Sequence, residues 1–171
     1  LVPPHTSVIA ECDLAAQGFY REIGQKLRAK KKSLEDAGVT KQPIHKVLAL
    51  LSSISGQAQI GCEFAASNIF AHNEYHWREF GPLNAGQQLK MISDLAYEFN
   101  LFYLEDPFSN RRFGDFAKLS RKLKYSLICG DDLISTDAER LQTAIAERAI
   151  NAVIIKPNQC GSLIKAKEAL D

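Results

Sequence analysis

Four charged residues, three acidic and one basic, are the candidates for chemistry in this sequence. Glu63, Glu105, Asp131 and Lys156 follow one another at separations of 42, 26 and 25 residues, and an apolar segment precedes each of them. Three carboxylates held close together raise one another's pKa, so such a cluster normally persists because a cation neutralises it. Carboxylate oxygens favour magnesium or calcium over softer metals. A lysine facing that cation is suited to remove a proton from a carbon next to a carboxylate.

Short apolar segments must position these four residues. They are too short and too continuously apolar for half-exposed antiparallel strands, and they predict four buried parallel strands: Gln59–Cys62, Leu101–Leu104, Ser126–Cys129 and Ala152–Ile155. In a β/α barrel the carboxyl ends of the strands converge on one face. The charged residues that follow the strands are therefore expected in one shared mouth.

Amphipathic helices are predicted between and before the strands. Asn84 with Gln87, and Thr136 with Glu139, have the spacing of capping boxes that begin helices. Apolar residues at helical spacing mark the faces expected to be buried: Leu89, Ile92, Leu95, Phe116, Leu119 and Leu123. The same periodicity predicts two earlier helices, one through Ala15, Phe19, Ile23 and Leu27 and one through Ile44, Val47, Leu48 and Leu51.

The predicted fold class is α/β, part of a β/α barrel with parallel strands alternating with helices. We expect a single domain over residues 1–171, mainly helical over residues 1–58 and built from four β-α units over residues 59–171. Residues 72–84 are numerous enough to form a loop or a small excursion after the first strand.

Composition bounds the possible partners. The net charge of +1 provides no field for nucleic acid, and no apolar run approaches the roughly 20 residues that span a bilayer. Without a signal-peptide pattern at Leu1–Pro4, a cytoplasmic location is expected. The four cysteines are widely spaced, so reduced thiols are predicted at Cys12, Cys62, Cys129 and Cys160.

Four segments resemble the enolase family. Residues 61–67, Gly-Cys-Glu-Phe-Ala-Ala-Ser, resemble its G-x-D-x-A-A-S motif, and residues 104–108, Leu-Glu-Asp-Pro-Phe, resemble its E-D-P-F motif. Residues 130–133, Gly-Asp-Asp-Leu, look like its G-D-D-L motif, and residues 156–162, Lys-Pro-Asn-Gln-Cys-Gly-Ser, are similar to K-x-N-Q-x-G-[ST]. The order and spacing also match, so the resemblance implies part of the family's C-terminal barrel domain.

The resemblance implies a role for each candidate residue. Glu105 and Asp131 would be magnesium ligands, Glu63 would stand in for a third ligand that is Asp in the family, and Lys156 would take the proton from C2 of 2-phosphoglycerate. A lysine base with magnesium is the established arrangement of the enolase superfamily. Glu105, Asp131 and Lys156 would also contact the substrate. The implied reaction is the magnesium-dependent dehydration of 2-phosphoglycerate to phosphoenolpyruvate in glycolysis, by a homo-oligomeric protein.

Asp106 and Asp132 are expected to point away from the metal ligands, as capping or supporting residues, because each adjoins one of them in the chain. The family's general-acid loop, G-D-E-G-G-F-A-P, has no counterpart in Ala37–Pro43. Other substrate-holding segments would lie beyond the two ends, which we expect to have been cut from a longer protein. Catalysis by the chain alone is therefore expected to be incomplete.

Two other functions remain open at the level of sequence. One is a non-catalytic structural or interaction module derived from an enolase, which Glu63 and the unmatched acid loop favour. The other is a different member of the superfamily, such as an acid-sugar dehydratase or a cycloisomerase. The K-x-N-Q-x-G-[ST] and G-D-D-L motifs favour enolase over this last alternative.

Four or five strands cannot close a barrel that typically has eight strands and about 250 residues. We therefore predict that the isolated chain self-associates or aggregates through unpaired strand edges and apolar surface. Analytical ultracentrifugation over a range of concentrations checks this expectation. A compact monomer at every concentration, with cooperative unfolding, would contradict it.

Overall fold

The computed structural model describes residues 44–55 and 59–170. The chain divides into two compact units, residues 1–60 and 61–171. In the first unit, α1 spans Ile44–Ile54 and buries Leu48, which confirms the second predicted helix. The predicted helix through Ala15 and Leu27, together with Cys12 and residues 37–43, lies outside the described residues. The single domain over residues 1–171 stays a prediction.

The second unit alternates strands with helices. After α1 the elements are β1 (Ile60–Glu63), a 3-10 helix (Ala66–Ile69), β2 (Phe70–Ala71), β3 (Glu74–Trp77), β4 (Gly81–Leu83), α2 (Ala85–Glu98), β5 (Leu101–Glu105), α3 (Phe113–Lys122), β6 (Leu127–Gly130), α4 (Ala138–Ala146), β7 (Ala152–Val153), α5 (Pro157–Cys160) and α6 (Leu163–Glu168).

The main sheet has the strand order β1-β5-β6-β7. β5 runs parallel to β6, with Glu105 opposite Cys129, and β6 runs parallel to β7, with Gly130 opposite Val153. All four predicted strands are present, although β7 ends two residues earlier than predicted. Parallel strands alternating with helices confirm the predicted fold class, part of an α/β barrel.

Residues 70–83 form a small antiparallel sheet in the order β2-β3-β4. This sheet is the excursion predicted after the first strand. Tyr75 of β3 is fully buried, and its ring contacts Phe70 and Phe108 at centroid distances of 4.7 and 6.2 Å. The indole N–H of Trp77 donates to Gln88 Oε1 at 2.6 Å, which ties the excursion to α2.

One predicted capping box is confirmed and the other is wrong. Asn84 Oδ1 accepts from the N–H of Gln87, and Gln87 Oε1 accepts from the N–H of Asn84. At α4 the capping residue is Asp137, whose carboxylate accepts from the N–H of Arg140 at 2.9 Å. Thr136 is buried, and its hydroxyl bonds to Gln159 and Lys156 rather than to α4. Tertiary contacts therefore overrode a local capping signal.

The core lies between the parallel sheet and its helices. The predicted apolar faces of α2 and α3 are buried at Ile92, Leu95, Phe116 and Leu119, as is Leu123, and Leu89 is half-buried. Phe108 packs edge-on against Phe116 with centroids 5.6 Å apart, which joins the segment after β5 to α3. None of the helices within residues 44–55 and 59–170 combines the length and apolar character needed to cross a membrane.

The described cysteines are free thiols, as predicted: Cys62, Cys129 and Cys160. Burial raises the pKa of Cys62 and of Cys129 to about 12, and the charge of Glu63 adds to the effect at Cys62. Both therefore remain protonated at neutral pH. Cys129 is a small core residue, and Cys62 is half-buried.

The carboxylate of Asp115, in the first turn of α3, forms ion pairs that stabilise the start of this helix. Its carboxylate accepts from Arg112 Nε at 2.7 Å and from Lys118 Nζ at 2.8 Å. Burial alone would raise the pKa of Asp115, but the hydrogen bonds and charges of Lys118 and Arg112 outweigh burial and hold the pKa below its ordinary value of 3.8. The ionised form is therefore stabilised by folding, and its contribution is lost as pH falls below 3.8 through the folded-state pKa.

We predict that Asp115→Asn lowers the free energy of unfolding by about 1–2 kcal/mol at pH 7. This deficit should shrink as the pH falls below the pKa of an ordinary carboxyl group. Urea denaturation from pH 7 to pH 3 measures the difference. Asp94→Asn is the matched control, because Asp94 pairs with Lys90 at the surface and should contribute less than about 0.5 kcal/mol. An Asp115→Asn deficit that is constant with pH would contradict the role of the carboxylate charge.

Candidate active site

Parallel pairing brings two of the predicted acidic residues together. Glu105 is the last residue of β5, and Asp131 follows the last residue of β6 directly. One carboxylate oxygen from each of Glu105, Asp106 and Asp131 lies within 4.8 Å of the other two. All three residues are buried, with 9%, 2% and 6% of their surface exposed. The predicted convergence of Glu105 and Asp131 at one sheet edge is therefore confirmed.

Gly130 allows the turn after β6 to pack closely. A Cβ atom on Gly130 would lie 3.2 Å from Leu133 Cβ and 3.4 Å from Ile150 Cδ1, a tight contact that would require these neighbours to shift by a few tenths of an ångström. Within the turn, the carbonyl of Asp131 accepts from the N–H groups of Ile134 and Ser135. The Gly-Asp-Asp-Leu segment thus curls tightly at the strand end and presents the Asp131 side chain toward β5.

Asp106 braces that turn from the neighbouring strand. Its carboxylate accepts from three successive backbone N–H groups, those of Asp131, Asp132 and Leu133, at 3.3, 2.8 and 3.3 Å. These bonds engage both oxygens and confirm the predicted capping role. The prediction that Asp106 points away from the metal ligands is wrong, because one of its carboxylate oxygens lies within 4.8 Å of an oxygen of Glu105 and of Asp131. Burial raises the pKa of Asp106 to about 6, the three N–H groups oppose that rise, and the charge of Asp132 adds to it. Asp106 also adopts a positive φ of 42°, a strained conformation that this brace maintains.

Glu105 is oriented by a residue of its own strand. The Tyr103 hydroxyl donates to Glu105 Oε2 at 2.7 Å. Burial, followed by interactions with Cys129 and Glu105, raises the pKa of Tyr103 far above its ordinary value, so the phenol stays protonated and remains a donor. Gly61 of β1 makes room for this ring, because a Cβ atom there would lie 3.2 Å from Tyr103 Cβ.

Lys156 reaches the same carboxylates from β7. It lies three residues beyond the end of β7 and immediately before α5, and 43% of its side chain is exposed. Its ammonium donates to Asp131 Oδ2. This hydrogen bond, with the charges of Asp131, Glu105 and Glu63, raises the pKa of Lys156. The structure therefore joins Lys156 to Asp131 as an ion pair beside Glu105.

Glu63 stands apart from this group. It is the last residue of β1 and is exposed, and it is not among the three carboxylates that lie within 4.8 Å of one another. Its charge nevertheless contributes to the raised pKa of Lys156, after those of Asp131 and Glu105. A metal-binding role for Glu63 stays a prediction.

Three contacts at the site were not predicted from the sequence. Gln159 Nε2 donates to Asp131 Oδ1 at 2.8 Å, Thr136 bonds to Gln159, and Tyr103 holds Glu105. Tyr103 could have been found, because residues i and i+2 of a strand share a face. Gln159 lies within the K-x-N-Q-x-G-[ST] segment but had no assigned partner. For Thr136 no local signal was available, since its apparent capping role pointed elsewhere.

The donor set suits a hard divalent cation. Glu105 and Asp131 offer buried carboxylate oxygens from adjacent strands, and oxygen ligands of this kind match magnesium and calcium. In the structure, one lysine and several neutral donors compensate the negative charge. The site can therefore hold a cation between two strand ends with an amine beside it.

Comparison with known proteins adds a second, independent line of evidence. Residues 42–171 match the family model described as the enolase C-terminal TIM barrel domain. An enolase of Natronomonas pharaonis is 33% identical over 140 residues, covering 81% of this chain and 35% of that protein. An enolase of Haloquadratum walsbyi is 42% identical over 86 residues, 50% of this chain and 21% of that protein. One of Saccharolobus islandicus is 36% identical over 114 residues, 66% of this chain and 27% of that protein.

The chain spans about a third of the length of the first of these relatives, or less of the others. The matched region contains all four strand ends and the Glu105, Asp131 and Lys156 arrangement. The chain therefore belongs to the enolase family and carries part of its C-terminal TIM barrel domain.

Proposed function

We propose that this chain supplies the metal-binding and proton-abstracting part of an enolase, which dehydrates 2-phosphoglycerate to phosphoenolpyruvate with magnesium. The observation that carries the proposal is the meeting of Glu105, Asp131 and Lys156 at one edge of the sheet, from three successive strands. The family's reaction requires carboxylates that hold the metal and an amine that takes the proton, and Glu105, Asp131 and Lys156 provide these groups. Glycolysis in the cytoplasm, within a homo-oligomer, is the proposed setting.

Glu105 and Asp131 would hold the magnesium, with Glu63 as a third ligand. The fit rests on hard oxygen donors from adjacent strands that are already buried and close. When bound, the metal would supply positive charge that stabilises the extra negative charge developing on the substrate carboxylate. Tyr103 and Asp106 contribute by fixing Glu105 and the Asp131 turn before any ligand arrives.

Lys156 would act on the substrate carbon next to the carboxylate. Its amine would take the C2 proton, and the C2–H bonding pair would move toward the carboxylate. That pair would then form the C2=C3 double bond as the C3–O bond breaks, and the departing hydroxide would take a proton from a general acid. Net loss is one water. Lys156 must be neutral to accept the proton, whereas its hydrogen bond to Asp131 favours the charged form. Separation of Lys156 from Asp131 is therefore a necessary part of forming the active arrangement.

The remaining steps need groups that we assign to other parts of the protein. Departure of hydroxide requires a general acid, and the substrate phosphate requires cationic anchors. The matching family segments find no counterpart in the sequence of this chain. The chain spans about a third of the length of the Natronomonas pharaonis enolase, which is consistent with the general acid and the phosphate anchors lying elsewhere in the protein.

A second candidate function is a non-catalytic enolase-derived module. The observation that favours it is Glu63, which replaces the family's Asp and lies outside the carboxylate group. A metal-free barrel segment would still retain the Lys156–Asp131 ion pair as a structural contact. Magnesium binding separates the two functions, because only the enzyme needs it.

We predict that the isolated chain shows no turnover of 2-phosphoglycerate above that of its own Lys156→Ala variant. In a full-length context with the other barrel strands present, Lys156→Ala should lower kcat by about 10²–10⁴-fold, the usual contribution of a positioned base. Formation of phosphoenolpyruvate, followed by its ultraviolet absorbance, measures both. Lys165→Ala, at an exposed lysine of α6, is the matched control and should retain activity. Magnesium-dependent turnover by the isolated chain, absent in its Lys156→Ala variant, would contradict the first expectation.

We predict that Glu63→Asp tightens magnesium binding, because the shorter side chain restores the family's ligand and costs less conformational entropy to fix. Glu105→Gln and Asp131→Asn should each weaken binding severely, by about 100-fold or more, since each removes a ligand charge. Calorimetric titration with magnesium in the full-length context measures all three. Glu139→Gln is the control, because Glu139 is exposed on α4. Unchanged or weaker binding in Glu63→Asp would mean that Glu63 is not an impaired ligand.

A further inference from the structure

We propose that Thr136 and Gln159 form a directional hydrogen-bond relay that positions the Asp131 carboxylate for the metal. The relay runs from the backbone N–H of Lys156 through the Thr136 hydroxyl and the Gln159 amide to Asp131. This inference rests on the proposed function, because it assigns two positioning residues to the same site.

The relay is continuous at ordinary hydrogen-bond distances. The N–H of Lys156 donates to Thr136 Oγ1 at 2.8 Å, the Thr136 hydroxyl donates to Gln159 Oε1 at 2.7 Å, and Gln159 Nε2 donates to Asp131 Oδ1 at 2.8 Å. Lys156 Nζ closes the ring by donating to Asp131 Oδ2. Both oxygens of Asp131 are thus held from the β7–α5 segment.

The direction of every bond in the relay is set by its two ends. A backbone N–H can only donate, and an ionised carboxylate can only accept. Thr136 and Gln159, which can do both, therefore have one arrangement that satisfies all the partners. Rotating the Gln159 amide by half a turn would face its carbonyl oxygen against the Asp131 carboxylate and leave the Thr136 proton without its acceptor. The Thr136 hydroxyl therefore selects the amide orientation that supports Asp131.

The backbone delivers both side chains to this point. Thr136 has 1% of its surface exposed and a φ of 55°, in the left-handed region that a β-branched residue rarely adopts. A strained conformation persists where surrounding contacts maintain it. Across the site, the N–H of Gln159 donates to the carbonyl of Lys156, so the single turn of α5 brings Lys156 and Gln159 to opposite oxygens of one carboxylate.

Loss of the relay would leave the Asp131 carboxylate held on one oxygen only. Partners of metal-ligating carboxylates typically contribute 10–100-fold to metal affinity. Gln159 is exposed, so water can partly replace its amide, and we expect the low end of that range. Thr136 reaches the Asp131 carboxylate only through Gln159, so removing its hydroxyl should have a similar effect through loss of the amide orientation.

Magnesium affinity of the full-length protein, measured by calorimetry, tests the proposal. Gln159→Leu and Thr136→Val should each weaken binding by about 10-fold, whereas Thr136→Ser, which retains the hydroxyl, should stay within about 2-fold of the unaltered protein. The double variant should bind no more weakly than the weaker single variant, because both changes break one chain of bonds. The matched controls are Gln142→Leu and Thr143→Val on the exposed side of α4, which should leave affinity unchanged.

Thermal unfolding of each variant separates a positioning effect from a folding defect. Gln159→Leu alters an exposed side chain and should unfold with the unaltered protein, so its affinity is informative even if Thr136→Val is destabilised. Unchanged affinity in Gln159→Leu, equal losses in Thr136→Ser and Thr136→Val, or multiplied losses in the double variant would each overturn the relay while leaving the proposed function intact. An unaltered protein that binds no magnesium would instead overturn the proposed function, and the relay's role with it.

Discussion

The electrostatic cost of placing buried carboxylates together governs the rest of this structure. Glu105, Asp106 and Asp131 approach within 4.8 Å at the ends of two adjacent strands, where burial strengthens their mutual repulsion. Each carboxylate is compensated by a different kind of donor. Asp106 accepts hydrogen bonds from backbone N–H groups, and Glu105 accepts one from the Tyr103 hydroxyl. Asp131 accepts from the Lys156 ammonium and the Gln159 amide. A cluster of like charges can therefore form before any cation binds, although a cation would relieve it further.

The segments that follow the strands are held together by a second set of polar contacts. Arg140 of α4 donates from Nε to the carbonyl of Leu133 at 2.8 Å and from its other end to the carbonyl of Asn110. Its guanidinium also lies 5.3 Å from the ring centre of Phe113. One side chain thus joins the segment after β6 to the segment after β5. This connection helps to hold Asp106, after β5, and Asp131, after β6, in fixed positions relative to each other.

The small antiparallel sheet supports the same segment from the other side. Gln88 accepts from Trp77 and donates to the carbonyl of Pro107 at 3.0 Å, and the Tyr75 hydroxyl accepts from the N–H of Ser109 at 3.1 Å. Every buried side-chain nitrogen and oxygen among the described residues has a hydrogen-bond partner. The excursion after β1 is therefore part of the support for the Glu105–Asp106 corner, in addition to its own packing around Tyr75.

The helices and strands, and the charged residues at the strand ends, could be predicted without the structure. Continuous apolar runs identified the four strands, the Asn84 capping box identified the start of α2, and the charged residues after the strands identified Glu105, Asp131 and Lys156. These signals are local or periodic, so they survive without knowledge of the fold. The hydrogen-bond partners could not be predicted from local signals. Thr136 bonds to Gln159 and Lys156 instead of capping α4, the Asp106 carboxylate accepts from three N–H groups after β6, and Glu63 lies outside the carboxylate group. Each of these outcomes depends on contacts between residues 20 or more positions apart, where distance and direction are set by strand pairing rather than by neighbours in the chain.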